Sequence, residues 1–173
     1  MGNLAKYTIA PDSLESLRIL ECWNWLLGST PWTPVVYSMF GDCFVASREG
    51  RVYFLNILKG ELMEVADSRA EFERSAENDE ECGKWFMGAL VEQVQQNGIG
   101  RAKGQIYGFK KLPLHGGAMT WENVEATNPV VYHSSISQVH QQKRDLPTEI
   151  RVARLSPGRS RSAPRKKWWQ FWK

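Results

Sequence analysis

Apolar residues recur at three- and four-residue spacing through Leu14, Leu17, Leu20, Trp23 and Leu27 up to Gly28, which sets them on one face of an α-helix. Asp12 with Glu15 ahead of that stripe has the spacing of a capping box, so the helix starts there. Residues 29–34 hold Pro31 and Pro34, each pushing its preceding residue out of the helical region, and Val35 then leads into a strand. The period shortens next. Phe40, Cys43, Phe44 and Val45 form one apolar run and residues 52–55 a second, separated by Ser47-Arg48-Glu49-Gly50, where Gly50 supplies a positive φ. After the Lys59-Gly60 turn, Leu62 and Val65 alternate loosely with charge, giving a third, more exposed strand over 61–66. Together these runs predict an antiparallel meander, with the rest of the chain built around it.

Helical signals return at Ser68 with Glu71, a second capping box. The helix it opens is expected to break near Asn78-Asp79. A further helix buries Trp85, Phe86, Leu90, Val91 and Val94 and stops at Asn97-Gly98. Residues 99–104 read as a loop, 105–110 as a strand with Gly108 where something packs closely, 113–119 as a second loop and 123–126 as a short strand. Asn128-Pro129 is an N-cap followed by proline at the first helical position, and Tyr132, Ile136 and Val139 fall at helical spacing up to Lys143. The predicted fold is α+β, an antiparallel β-meander sheet flanked by helices, with a disordered basic C-terminal tail. The expected division is an N-terminal extension over 1–11, one domain over 12–150 and the tail over 151–173.

At 173 residues and 42% hydrophobic composition the chain supports one core. Its net charge of +3 conceals an asymmetry: residues 143–173 carry +8, which leaves −5 on residues 1–142. Nine acidic residues fall between Glu61 and Glu81, against only Arg69 and Arg74. Three widely spaced cysteines, Cys22, Cys43 and Cys82, fit neither a disulfide framework nor paired zinc ligands. With no long apolar segment and no leader-like N-terminus, a cytoplasmic location is expected, with the inner-membrane surface as a peripheral site for the tail.

Four stretches carry a family resemblance: GDCFVASREGRVYFLN at 41–56, VADSRAEF at 65–72, GQIYGFKKLPLHGG at 104–117 and ENVEATNPVVYHSSISQVHQQKRDLP at 122–147. In order and spacing they resemble the C-terminal domain of Tdi-type immunity proteins, which neutralise DNase effectors of type VI secretion systems in the Tde/Tdi pairing. The resemblance covers about Leu14 to Pro147 and excludes the basic tail. It implies an α+β domain that binds and blocks a cognate protein toxin, a nuclease in that family's pattern, without an enzymatic activity, cofactor or small-molecule substrate of its own.

The residues themselves support no catalytic set. His133 and His140 lie seven apart, about 10 Å along a helix, too far to share one metal. Nothing near Cys43 activates a thiolate, and Gly98, Gly100 and Gly104 lack the Lys-Ser/Thr of a phosphate loop. The acidic run reads either as a solvated helix face or as a docking surface for a basic nuclease, with Glu71, Glu77, Asp79, Glu80 and Glu81 as contacts. The loop at His115, Gly116 and Gly117 is either the shape-fitting part of that interface or a connector. In the tail, Arg165, Lys166 and Lys167 precede Trp168, Trp169, Phe171 and Trp172, a pairing of cations and aromatics that suits an anionic membrane or single-stranded nucleic acid. The alternative function is therefore a peripheral membrane or nucleic-acid-associated adaptor that works through this tail.

Overall fold

The computed structural model describes residues 4–10, 12–77, 83 and 85–145. Five strands form one antiparallel sheet in sequence order: β1 (Thr8–Ile9), β2 (Thr33–Ser38), β3 (Cys43–Ala46), β4 (Val52–Asn56) and β5 (Glu61–Ala66). From β2 onward neighbouring strands are joined by short turns, whereas two helices intervene between β1 and β2. In the β3–β4 turn Gly50 has φ +86° and its N–H donates to the Ser47 carbonyl at 3.0 Å. The β4–β5 turn closes by Gly60 N–H to the Asn56 carbonyl at 2.9 Å. The register of β2 on β3 shifts between Pro34 and Val36. A proline lacks the N–H a regular ladder needs, and β1 covers β2 only at Tyr37 and Ser38, so the irregularity falls where the strand is otherwise an edge.

Both faces of the sheet are buried, which is why β3 and β4 read as nearly continuous apolar runs. Alternation sends Cys43, Val45 and Leu55 to one face and Phe44, Val52 and Phe54 to the other. The first face meets α2 (Ser13–Cys22), α3 (Asn24–Leu27) and α6 (Pro129–Asp145) through Ile19, Leu20, Trp23, Leu27, Tyr132 and Ile136. On the second, Phe44 has the rings of Phe54, Phe72, Trp85 and Phe86 within 4.8–5.6 Å, an aromatic cluster that fixes α4 (Arg69–Ala76) beneath the meander. The α4 cap matches its sequence signature. Ser68 Oγ accepts from Glu71 N–H, and the Glu71 carboxylate accepts from Asp67 N–H at 2.8 Å, one residue before the N-cap.

The strand expected at 105–110 does not join the main sheet. β6 (Ile106–Phe109) pairs with β7 (Val124–Thr127) in a separate two-stranded ribbon. A third core, of Met39, Phe40, Tyr107, Phe109 and Val124, packs the ribbon against α5 (Gly88–Gln96) through Leu90, Val91 and Val94. Trp85 and Phe86 precede α5 rather than lying on it. Gly108 is where α6 meets the ribbon: a Cβ there would lie 2.8 Å from the Tyr132 ring, whose hydroxyl accepts from Phe109 N–H at 2.9 Å.

Two helix faces differ from the pattern read in the sequence. Leu17 is 60% exposed, and Ser16, Ile19, Leu20, Trp23 and Leu27 form the buried stripe, because Leu17 sits about 100° round the helix from Ser16. On α6 the buried face is Tyr132, His133, Ile136, Ser137 and His140, with Val139 at its margin. Polar groups are tolerated there because they have partners: Trp25 Nε1 donates to Ser137 Oγ, Ser137 Oγ to the Cys22 carbonyl, and His140 Nε2 lies 3.0 Å from the Ile57 carbonyl oxygen. Residues 4–10, read as an extension, supply α1 (Leu4–Tyr7) and β1. They are tied to α5 where Lys6 Nζ and Tyr7 Oη donate to Glu92 at 2.6 and 2.7 Å.

Candidate functional site

On α4 the acidic run is less uniform than its residue count implies. Glu71 is half-buried and committed to the cap. Glu73 pairs with Arg69 at 2.9 Å, one turn away. On β5, Glu64 accepts from the Tyr53 hydroxyl at 2.8 Å and pairs with Arg51 at 3.2 Å, and these bonds hold its carboxyl below the usual range. Glu77 is exposed at the end of α4. Asp79, Glu80 and Glu81 lie outside the described residues.

The other predicted contact is built on the ribbon, not on α4. Pro113–His115 form a 3-10 turn, and Gly116 follows with φ +78°. Asn123 pins this loop: its side-chain oxygen accepts from Lys111 N–H at 3.0 Å, and its amide donates to the Lys111 and Ala118 carbonyls at 2.8 and 2.7 Å. At Gly117 a Cβ would fall 1.8 Å from the Lys111 carbonyl oxygen, so the closure requires glycine. His115 and Met119 are exposed on this held loop, which is basic rather than acidic, with Lys110 and Lys111 at its base. The tail residues Arg165, Lys166, Lys167, Trp168, Trp169, Phe171 and Trp172 lie outside the described residues.

A junction that sequence reasoning missed lies in the β2–β3 turn. Asp42 is buried; its carboxylate accepts from Ile57 N–H at 3.0 Å, and its own N–H donates to Ser38 Oγ at 2.9 Å. Burial outweighs these bonds and raises the carboxyl to about 7. In the same turn Met39 N–H donates to the Tyr7 carbonyl at 2.9 Å and the Met39 carbonyl accepts from Tyr107 N–H at 2.7 Å, joining the N-terminal segment to the ribbon. His133 packs against Gly41. Trp23 Nε1 donates to His133 Nδ1 at 3.0 Å, so the ring's proton sits on Nε2, and burial lowers the imidazole to about 3. The Cys43 thiol, which donates to the Gly41 carbonyl at 3.3 Å, is pushed up by burial and is no nucleophile. The only signal in the sequence was the GDC triplet after an apolar run; Ile57 lies 15 residues from Asp42 and His133 lies 92 from Gly41.

A cavity of about 810 Å³ opens beside this junction, between β1, the start of α2 and the 101–104 loop. Tyr37 and His133 are among its lining residues. Among the described residues no three of His, Cys, Asp or Glu are grouped so as to hold a metal ion, and no helix is long and apolar enough to cross a membrane.

The stretch that holds the α4 cap, α5, the ribbon with its pinned loop and the His133 face of α6 has a counterpart among known families. Residues 66–140 match T6SS immunity protein Tdi1, C-terminal. The match bears out the resemblance read from the sequence and covers three of its four stretches in whole or in large part. In the Tdi1-matching segment, Glu71, Glu77 and the His115–Gly117 loop are included, whereas Asp42 and the first four strands precede it. The chain is also similar to a solved structure described as "Crystal structure of Atu4351 from Agrobacterium tumefaciens", at 17% identity and a TM-score of 0.47, over 72% of this chain. It spans 63% of the length of that chain, and at this level the likeness says nothing about function. No curated protein matches the chain.

Proposed function

We propose that the protein is a non-enzymatic immunity protein that binds a toxin of a type VI secretion system, a DNase in the pattern of the Tde/Tdi pairing, and blocks it by occupying its working surface. The Tdi1 match over residues 66–140 carries this reading. The proposed contacts are the exposed end of α4 at Glu77 with Asp79, Glu80 and Glu81 beyond it, and the held loop at His115, Gly116 and Gly117. Negative charge on the first draws in a basic, DNA-accepting cleft and speeds encounter. The second offers a loop that needs no ordering on binding, which lowers the entropic cost of association. Glu71 acts from inside the helix cap and supports this surface rather than touching the partner.

Growth of cells expressing the cognate type VI secretion toxin, to be sought as the product of an adjacent gene, tests the reading, with and without the chain. Rescue of growth together with intact chromosomal DNA is the expected result. Undiminished killing at matched expression would refute it.

A further inference from the structure

β5 stands at the edge of the main sheet: it pairs with β4, and among the described residues no strand takes its other side. An edge strand is a template for a further chain, and this one has an apolar border. Tyr53 and Leu62 project from the same face of β4 and β5. Trp32 meets Tyr53 edge-to-face at 5.1 Å, and α3, which carries Trp25 and Leu26, lies against β5. All five side chains are half-buried at the rim of the first core rather than enclosed in it. Trp25 Nε1 donates to Ser137 Oγ and Trp32 Nε1 to the Leu27 carbonyl, so the polar atoms of both indoles are already satisfied and the surface they leave is apolar.

The end of α6 lies beside the same patch. The Arg144 guanidinium is 4.9 Å from the Trp25 ring and its Nη1 donates to the Trp25 carbonyl at 3.1 Å, while His140 packs against Gly60 in the β4–β5 turn. The chain beyond Asp145 therefore leaves the domain here, and residues 146–173 carry eight Lys or Arg against Glu149 alone. Twenty-two residues separate Asp145 from Trp168, enough to span up to about 70 Å, so the rings at 168–172 reach the rim with length to spare. Glu61 and Glu64 are the charged residues of β5; Arg51 pairs with Glu64, and Glu61 stands exposed at the start of the strand. A second copy would set these carboxylates against their own kind, whereas residues 165–173 bring four cations and no acid. We propose that residues 165–173 of this chain dock along the β5 edge, with their aromatic rings on Trp25, Trp32 and Leu62 and their cations toward Glu61. Rings suit such a seat because they bury much apolar area with few rotatable bonds. The same cations and rings suit an anionic membrane, so a bilayer competes with this seat for the segment.

The test compares NMR spectra of the full chain with those of a full-length variant carrying Trp168→Ser, Trp169→Ser, Phe171→Ser and Trp172→Ser. Ring currents from the docked segment should shift the Trp25 and Trp32 indole N–H signals and the 61–66 amides of the parent relative to this variant, equally at every protein concentration, while signals of the other two cores coincide. A synthetic peptide of residues 160–173 added to the variant should restore those shifts saturably. Its Kd should be on the order of 1 mM, the range in which tethering at millimolar effective concentration fills the seat. Adding the exposed-site change Glu61→Lys to the variant should weaken the peptide about five-fold at low salt. Identical indole and 61–66 signals in parent and variant would overturn the proposal, as would a peptide that binds equally well with Glu61→Lys. Shifts that grow with protein concentration would place the segment on a second copy and overturn it too. None of these readouts depends on the immunity reading.

Discussion

Replacing Asp42 by asparagine should alter how stability depends on pH, and the structure sets the sign. In the folded protein burial raises this carboxyl from 3.8 to about 7. The folded state therefore binds a proton that the unfolded state releases, so the contribution is fully present below about pH 3.8 and is lost as pH rises through about 7. At about 1.4 kcal/mol per pH unit, that loss amounts to up to about 4 kcal/mol. Asparagine keeps an oxygen for Ile57 N–H and places its amide toward Ser38, but it does not titrate. The stability of Asp42→Asn relative to the parent should thus climb by up to about 4 kcal/mol between about pH 4 and about pH 8. His133 runs the other way. Its folded value is lowered from 6.5 to about 3, so its contribution is present above about pH 6.5 and lost as pH falls toward 3. In the parent the two slopes oppose each other over most of this window. In Asp42→Asn the His133 slope stands alone, and stability should fall as the solution is acidified. Urea unfolding at a series of pH values, read by tryptophan emission, measures both effects. A variant-minus-parent difference constant to within about 1 kcal/mol would refute the reasoning, because it would mean that the Ile57 and Ser38 bonds fully offset burial.

Gly108→Ala should cost about 1–3 kcal/mol, since the new methyl meets the Tyr132 ring and Thr127 at 2.8 Å; unchanged urea unfolding would show that this seam is loose. Reversing Glu77, Glu80 and Glu81 to lysine should slow toxin association most at low salt, and an on-rate with unchanged salt dependence would make the run a solvated face. The full chain should co-sediment with anionic vesicles and a 1–155 truncation should not. About 1 kcal/mol from each of Arg165, Lys166, Lys167 and Lys173 weakens as salt rises, and both proteins remaining in the supernatant would rule this out.

What could be read in the sequence was local. The Ser68 and Asn128 caps, the Gly50 turn and the close approach at Gly108 each depend on residues a few positions apart, and each stands as expected. Pairing over distance was not legible. β6 has strand character but nothing in its four residues states that its partner is β7 rather than the meander. β1 is two residues long and carries no periodicity. Asp42 drew no reading of its own, because its role depends on Ile57 and Ser38 meeting it in the fold. His133 reads as one of a spaced pair until Trp23 reaches its ring from the joint between α2 and α3, 110 residues earlier. The acidic run overstated its own charge because Arg51, at the end of the β3–β4 turn, pairs with Glu64.

The central claim is inhibition by binding, and it is tested most directly by titrating the purified cognate toxin, once an adjacent gene yields one, with the full chain while following DNA cleavage. The account predicts that cleavage falls in proportion to added protein and stops at a fixed stoichiometry, with no change in the chain itself. Cleavage that continues undiminished at a large excess of the chain would contradict it.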